Sequence, residues 1–298
     1  MENLDSLKKN LIATKELKNI VLTMKSLSGA NIKKYEKMSD NVAKYLNILD
    51  SCFQAVLQKE PQILEYFDYF DNDIKKDKEK TKNIYIAVGS NQGLCGRFND
   101  KIVDFYLKNV KQDSIYTIVV GDKLCSLIRG KKVNIDKSYP LTTSKNNTID
   151  LVYSIVTTIE KFIQEGFNIN LFIIFTKYNN NLANHIVRKK ILPFDKKYFE
   201  NLKNKQWMTN NVPKWKIDTK ELFVDLSQQY LFANLFLMII SSMASEQKER
   251  ITTLQSAEQN MEEYINNLTL KFNQTRQTNI TSDLIDTVSG FLNIKRNK

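Results

Sequence analysis

The placement of helix breakers constrains this chain more than any other feature. All four prolines (Pro61, Pro140, Pro193, Pro213) fall between residues 60 and 215, as do Gly89, Gly93, Gly96, Gly121, Gly130 and Gly166; only Gly29 and Gly290 lie outside. Proline removes a helical hydrogen bond and glycine adds backbone freedom, so the flanks can be helical and the middle cannot be helical throughout. A helical, mixed, helical order follows, with boundaries read at 1–60, 61–220 and 221–298.

Residues 1 to about 59 predict one helix that Pro61 ends. Its apolar positions fall on two interleaved heptad series: Leu17, Met24, Asn31, Met38, Tyr45, Cys52, and Leu7, Thr14, Val21, Ser28, Tyr35, Val42, Leu49, Val56. Alternating spacings of four and three mark a coiled-coil seam, so Leu17, Val21 and Met24 are expected in it. The seam turns polar or small around Ser28 and Asn31, where Gly29 also sits. From about Leu226 to Leu292 the other flank has no proline, and no glycine before Gly290. Here Ile251, Leu254, Met261, Ile265, Leu268 and Phe272 form a stripe at helical spacing, continued by Ile280, Leu284, Val288 and Phe291. At 1.5 Å per residue the two helices would be roughly 85 and 100 Å long, too long for a compact bundle. They are expected to pair with each other, antiparallel.

The middle alternates. Ile84–Val88, Ile115–Val120 and Ile169–Phe175 are short β-type runs, separated by helical stretches at Phe98–Val110, just after Gly121, and at Thr148–Gln164. That order predicts a parallel α/β sheet. Residues 195–220, with Trp207, Pro213 and Trp215, show no period and are expected to be a surface excursion; 68–82 reads as a charged linker.

Composition narrows the function classes. At 42% hydrophobic and 26% charged the chain is an ordinary globular one. Cys52, Cys95 and Cys125 are odd in number and far apart, which predicts reduced thiols. The first residues lack a signal-peptide pattern, and the most apolar run, Tyr230–Ile240, is interrupted by Asn234 and far shorter than the ~20 residues that span a bilayer. No transmembrane segment is expected. The net charge of +11 fits nucleic acid, an anionic membrane surface or an acidic protein surround, and equally a plain compositional bias, since the lysines are scattered.

The stretch Val88–Asn99 runs from a strand through glycines into a helix, where α/β folds bind phosphates. Its G-x-x-x-G-x-x-G spacing fits neither the dinucleotide fingerprint nor the P-loop, and no Lys-Ser or Lys-Thr follows to hold Mg²⁺ and a γ-phosphate. Gly89, Gly93 and Gly96 are therefore expected to build a tight structural turn. His185 is the only histidine, and Cys95 and Cys125 have no recognisable partner, which rules out a Cys/His zinc cluster and argues against Ser-His-Asp or Cys-His catalysis. Glu262 and Glu263 are adjacent on a helix and point apart. No catalytic, cofactor or metal site is expected.

The segment Ser90–Asn99 resembles the S-D-x-G-L-C-G-x-x-N motif of gamma subunits, the central-stalk rotors of F-type rotary ATPases, with Asn91 for the Asp. Ser242–Glu246 is similar to that family's S-x-A-S-E, Asn273–Thr281 to N-x-x-R-Q-x-x-I-T, and Asp283–Gly290 to E-L-x-E-I-V-S-G. Ile20 and Met24-Lys25 sit as in K-I-T-x-A-M-K, and Tyr178-Asn179 and Ile191-Leu192-Pro193 also match, so the similarity spans the chain in order. The resemblance implies α/β architecture with a long antiparallel coiled coil: the terminal helices pair as a shaft and a Rossmann-like domain is inserted between them. It implies a non-catalytic shaft inside a ring of alternating alpha- and beta-type subunits, where Arg276 and Gln277 meet an acidic loop of a beta-type subunit. Arg suits that role, since its planar fork matches a carboxylate. It also implies a foot, including Ile84–Val88, Gly89–Gly96 and 68–82, on a membrane proteolipid ring at the cytoplasmic face, with a small epsilon-like subunit beside it. Departures from the family at Asn91, Gly29, Asp283 and Phe291 leave open a proton-driven synthase or a rotary paralogue with another load, such as a motility apparatus. A basic coiled-coil adaptor would account for the charge but not for the C-terminal motifs or the inserted domain, so no direct nucleic-acid partner is expected.

Overall fold

The computed structural model describes residues 4–64, 81–110, 115–141, 145–180, 183–207, 211 and 213–296, with the side chains of 145, 146 and 291–296 left out. Most of the 68–82 linker and the Phe291 side chain therefore lie outside the described residues. In chain order the elements are α1 (Leu4–Lys59), β1 (Thr81–Val88), α2 (Phe98–Asn109), β2 (Ile115–Val120), α3 (Asp122–Gly130), β3 (Lys137–Tyr139), α4 (Lys145–Gln164), β4 (Asn168–Lys177), β5 (His185–Leu192), α5 (Lys196–Asn204) and α6 (Thr219–Arg296). They form two compact units, residues 30–249 and residues 1–29 with 250–298. Both long helices contribute to each.

In the unit 30–249, five strands lie in the order β3-β2-β1-β4-β5. β1 runs parallel to β2 and β4, and β2 parallel to β3, as the strand–helix alternation predicts. β5 is an antiparallel edge that the sequence does not announce. Its Arg188-Lys189-Lys190 run breaks the apolar alternation, and such cations on an edge strand discourage pairing with other chains. β3, with three residues, is too short to carry a period.

Strand side chains alternate between two helical layers. Ile84, Ile86 and Val88 face one layer with Ile155 and Ile159 of α4 and Leu235, Ile239 and Met243 of α6. Tyr85, Ala87 and Val119 face the other, with Ile102 and Tyr106 of α2 and Leu124 and Ile128 of α3. An 18-residue window of α6 reaches a mean hydropathy of 1.4, but half of it is buried within the chain.

Two expectations need correction. The stretch 195–220 is not all excursion: Asp195 caps α5, its Oδ1 accepting from the Lys197 amide at 3.1 Å, and Phe199 and Leu202 are buried. Phe199 meets Phe53 of α1 edge to face at 5.0 Å, beside Tyr230 of α6. Only those two of its nine residues are buried, too few for a readable period. α6 also begins earlier than the apolar stripe indicates, because Asp218 accepts from the amides of Lys220 and Glu221 and caps the helix.

In the other unit the ends of α1 and α6 pair antiparallel, as expected. Lys18 Nζ binds Glu262 Oε1 at 2.6 Å, and Lys25 binds Glu258: the partner number falls as the α1 number rises. Leu7, Val21 and Ser28 are buried on α1, facing a seam on α6 that buries Leu254 and Leu268 and half-buries Met261; Met24 is half-buried on the flank. Leu17 is not in the seam. It is 52% exposed, and Lys18 takes the seam-side place. The series Leu7, Thr14, Val21, Ser28 can be completed on either side, by Leu17 and Met24 or by Leu11, Lys18 and Lys25. Apolar character favours the first. The fold uses the second, with lysine stems lying along the seam and their ammonium groups reaching α6 carboxylates. Extended from Lys18–Glu262, antiparallel pairing brings Leu17 level with Glu263 and Leu4 level with Arg276.

Candidate functional site

The glycine turn connects β1 to α2. Gly89 has no room for a side chain: a Cβ there would sit 2.5 Å from Leu124 Cβ and 2.7 Å from Asn99 Oδ1. Gly96 has φ +56°, a conformation that costs a side-chain-bearing residue energy. At Gly93 a Cβ would meet nothing within 4 Å, so packing inside this chain does not require glycine there. The Ser90 amide donates to Asn99 Oδ1 at 2.9 Å, and Asn99 Nδ2 donates to Ser90 Oγ at 2.7 Å. The Ser90 amide, the first beyond Gly89, is thus held by Asn99 within the chain. Asn91 Oδ1 accepts from the amides of Asp122 (3.0 Å) and Leu141 (3.1 Å). A carboxylate oxygen could accept the same pair, so Asn91 in place of Asp leaves the turn's hydrogen bonds intact. The adjoining strand Ile84–Val88 is buried throughout in the centre of the sheet and cannot itself form a contact surface, whereas Gln92, Gly93, Leu94 and Arg97 are exposed.

A second cluster lies at the C-terminal ends of β1 and β4. The β1–β4 ladder stops at Ala87–Ile174. Beyond it the Thr176 amide donates to Ser242 Oγ (3.5 Å), Ser245 Oγ donates to the Thr176 carbonyl (3.1 Å), and the Tyr178 amide donates to Ser241 Oγ (2.9 Å). Ser242 Oγ also donates to the Val88 carbonyl (3.3 Å). Ser242 and Ser245 are 1% and 0% exposed. Lys248 Nζ donates to the Asn179 and Asn180 carbonyls at 2.6 and 3.1 Å. Tyr178 donates its hydroxyl to Glu36 Oε1 of α1 at 2.8 Å; burial and that carboxylate push its pKa up to about 12. The family resemblance covers Ser242 and Ser245 but not Ser241, and gives none of them a role. The available signal was small polar residues at i and i+3 inside an otherwise apolar helical run.

The third cluster is the end of α6. Arg276 and Gln277 are exposed, as is every residue from 276 to 290. Ile280, Leu284 and Val288 continue the apolar stripe at i, i+4, i+8, yet each is exposed, Leu284 by 61%. His185, the lone histidine, lies exposed on β5.

The sequence profile of the ATP synthase family matches residues 3–293 of this chain. Similar proteins across its length are ATP synthase gamma chains: one from Mycoplasmopsis synoviae, 28% identical over 97% of this chain and 98% of its own, and one from Clostridium kluyveri, 25% identical over 96% of each. The chain belongs to the ATP synthase gamma family. Two solved structures share the fold. The Tetrahymena thermophila mitochondrial ATP synthase central stalk and c-ring structure gives a TM-score of 0.52 at 17% identity, covering 80% of this chain and 99% of that one. A Euglena gracilis mitochondrial ATP synthase structure, containing OSCP, F1 and c-ring, gives 0.53 at 13%, covering 89% and 95%. For a gamma-family chain the three clusters have distinct characters. The glycine turn is braced by its own side chains, the serine cluster fixes a helix to a sheet, and the end of α6 is exposed.

Proposed function

We propose that this chain is the non-catalytic central rotor of an F-type rotary ATPase, coupling ATP turnover in a ring of alpha- and beta-type subunits to rotation. The observation that carries this is the end of α6: a helix running on past the level of Leu4, presenting Arg276, Gln277 and the stripe Ile280, Leu284, Val288 with no partner in its own chain among the described residues. Apolar side chains in such a row lose water only against another surface. A ring of subunits closing around the helix supplies one, and Arg276 and Gln277 then meet acidic side chains of a beta-type loop. The exposed half of the glycine turn belongs to the foot, which docks a small epsilon-like subunit and a membrane proteolipid ring or another load. The complex is held peripherally at the cytoplasmic face of a membrane.

Reconstitution with alpha- and beta-type subunits tests the assignment. Arg276→Ala with Gln277→Ala is expected to lower ATPase activity and torque of the assembled complex. The free chain should keep its stability within about 0.5 kcal/mol, because both sites are exposed. Full activity and torque in the double variant would remove these residues from the mechanism, and failure of the chain to assemble with either subunit type would remove the role.

A further inference from the structure

Resting on the rotor role above, we propose that Ser241, Ser242 and Ser245 form the torque-bearing joint between α6 and the α/β sheet. In a parallel ladder, the amide and carbonyl of one residue face the same neighbour, and residues two apart face the same side. Thr176 and Tyr178 therefore direct their groups toward the side where β1 pairs with β4, but that pairing ends at Ala87–Ile174. The serines of α6 take the place of the missing strand. Ser242 Oγ bridges the two central strands, accepting from the Thr176 amide and donating to the Val88 carbonyl, while Ser245 and Ser241 take the Thr176 carbonyl and the Tyr178 amide.

Apolar packing holds helix and sheet together but is non-directional, so against sliding it offers only the interdigitation of side chains. Hydrogen bonds to fixed backbone groups resist separation and sliding alike, because they fail outside a narrow range of distance and angle. Four such bonds within five residues of one helix lock its rotation about its own axis at that level. Glu36 of α1 reaches the same corner through the Tyr178 hydroxyl, and Lys248 through the Asn179 and Asn180 carbonyls. A twist applied to either long helix thus arrives at the ends of β1 and β4 through polar contacts that cannot slip. Ser241, Ser242 and Ser245 act as positioning residues, holding helix and sheet at one angle under load.

The test uses the complex with alpha- and beta-type subunits, a probe bead on the α/β domain, and the variant Ser242→Ala with Ser245→Ala. ATP hydrolysis is expected to stay at the parent rate. The angular variance of the bead in an arrested complex should rise about twofold, and amide exchange at Thr176 in the free chain should speed about tenfold, since the variant leaves a buried amide without its acceptor. Ser227→Ala, whose hydroxyl bonds only within α6 to the Phe223 carbonyl at 2.7 Å, should change neither. If the double variant folds poorly, Ser241→Ala, at a half-buried position, gives the same readout at the Tyr178 amide. Unchanged variance in a rotating complex, or equal softening by Ser227→Ala, would overturn the joint and leave the rotor role standing. A parent complex that hydrolyses ATP without turning the bead would sink both.

Discussion

At the scale of single residues, this chain places strict demands where sequence shows only a glycine or a tyrosine. Gly89→Ala would force a methyl group against Leu124 Cβ of α3 and Asn99 Oδ1 of α2, both buried in the core. Overpacking of that kind costs about 1–3 kcal/mol, so chemical denaturation should show a loss in this range, while Gly93→Ala, with open space around it, should show far less. Tyr178 gives a pH signature. Its folded pKa, about 12, lies above the ordinary 10 because of burial and Glu36. The stability it contributes is therefore fully present below pH 10 and lost as pH rises through 12. Tyrosinate absorbance should show one late-titrating tyrosine fewer in Tyr178→Phe, with other tyrosines such as Tyr198 and Tyr230 still titrating late, and the variant should be less stable than its parent at neutral pH. A variant of parental stability at neutral pH would contradict that assignment.

At the scale of elements, the terminal coil carries its register in two ion pairs as much as in its apolar seam. A lysine at a core position of a coiled coil fixes alignment at some cost in stability. Lys25→Glu alone should set like charges against Glu258 and weaken the pairing; adding Glu258→Lys should restore most of it. The coupling read from the double-mutant cycle is expected to be about 1 kcal/mol or less, because both groups keep some contact with water. No coupling at low salt would mean that the seam alone sets the register. Acid should loosen the neighbouring pair. The hydrogen bond from Lys18 and its charge hold the Glu262 carboxyl below its ordinary 4.5, so its contribution is present above that value and fades as pH falls through the lower folded one.

At the scale of the whole molecule, the load at the rotor's foot decides how the complex behaves. A proton-driven synthase should be recovered from membranes in mild detergent with a proteolipid ring attached, and an inhibitor of the proton channel should suppress its ATP hydrolysis. A complex that hydrolyses ATP unaffected by the inhibitor, with no ring and another assembly at its foot, would identify a different load. The net charge of +11 acts at this scale too. If it serves an acidic surround, assembly with the ring should weaken with rising salt over the range where the Debye length shrinks from about 10 Å to about 3 Å.

The sequence by itself determined the helical flanks, their antiparallel pairing, the parallel strand–helix alternation and the family. Each of these rests on signals that repeat along the chain: absent helix breakers, heptad spacing, β-type runs, and motifs in order. The tertiary structure decided what depends on a single neighbour. Lys18 rather than Leu17 lies toward the seam, where a glutamate of α6 faces it. His185–Leu192 is a strand because β4 offers it a ladder, whatever its three consecutive cations prefer locally. Ser242 and Ser245 are buried and hydrogen-bonded because β1 ends before β4 does, leaving backbone groups for a helix to satisfy. Local pattern records where a chain can bury surface; the partner across the interface fixes which polar group completes it.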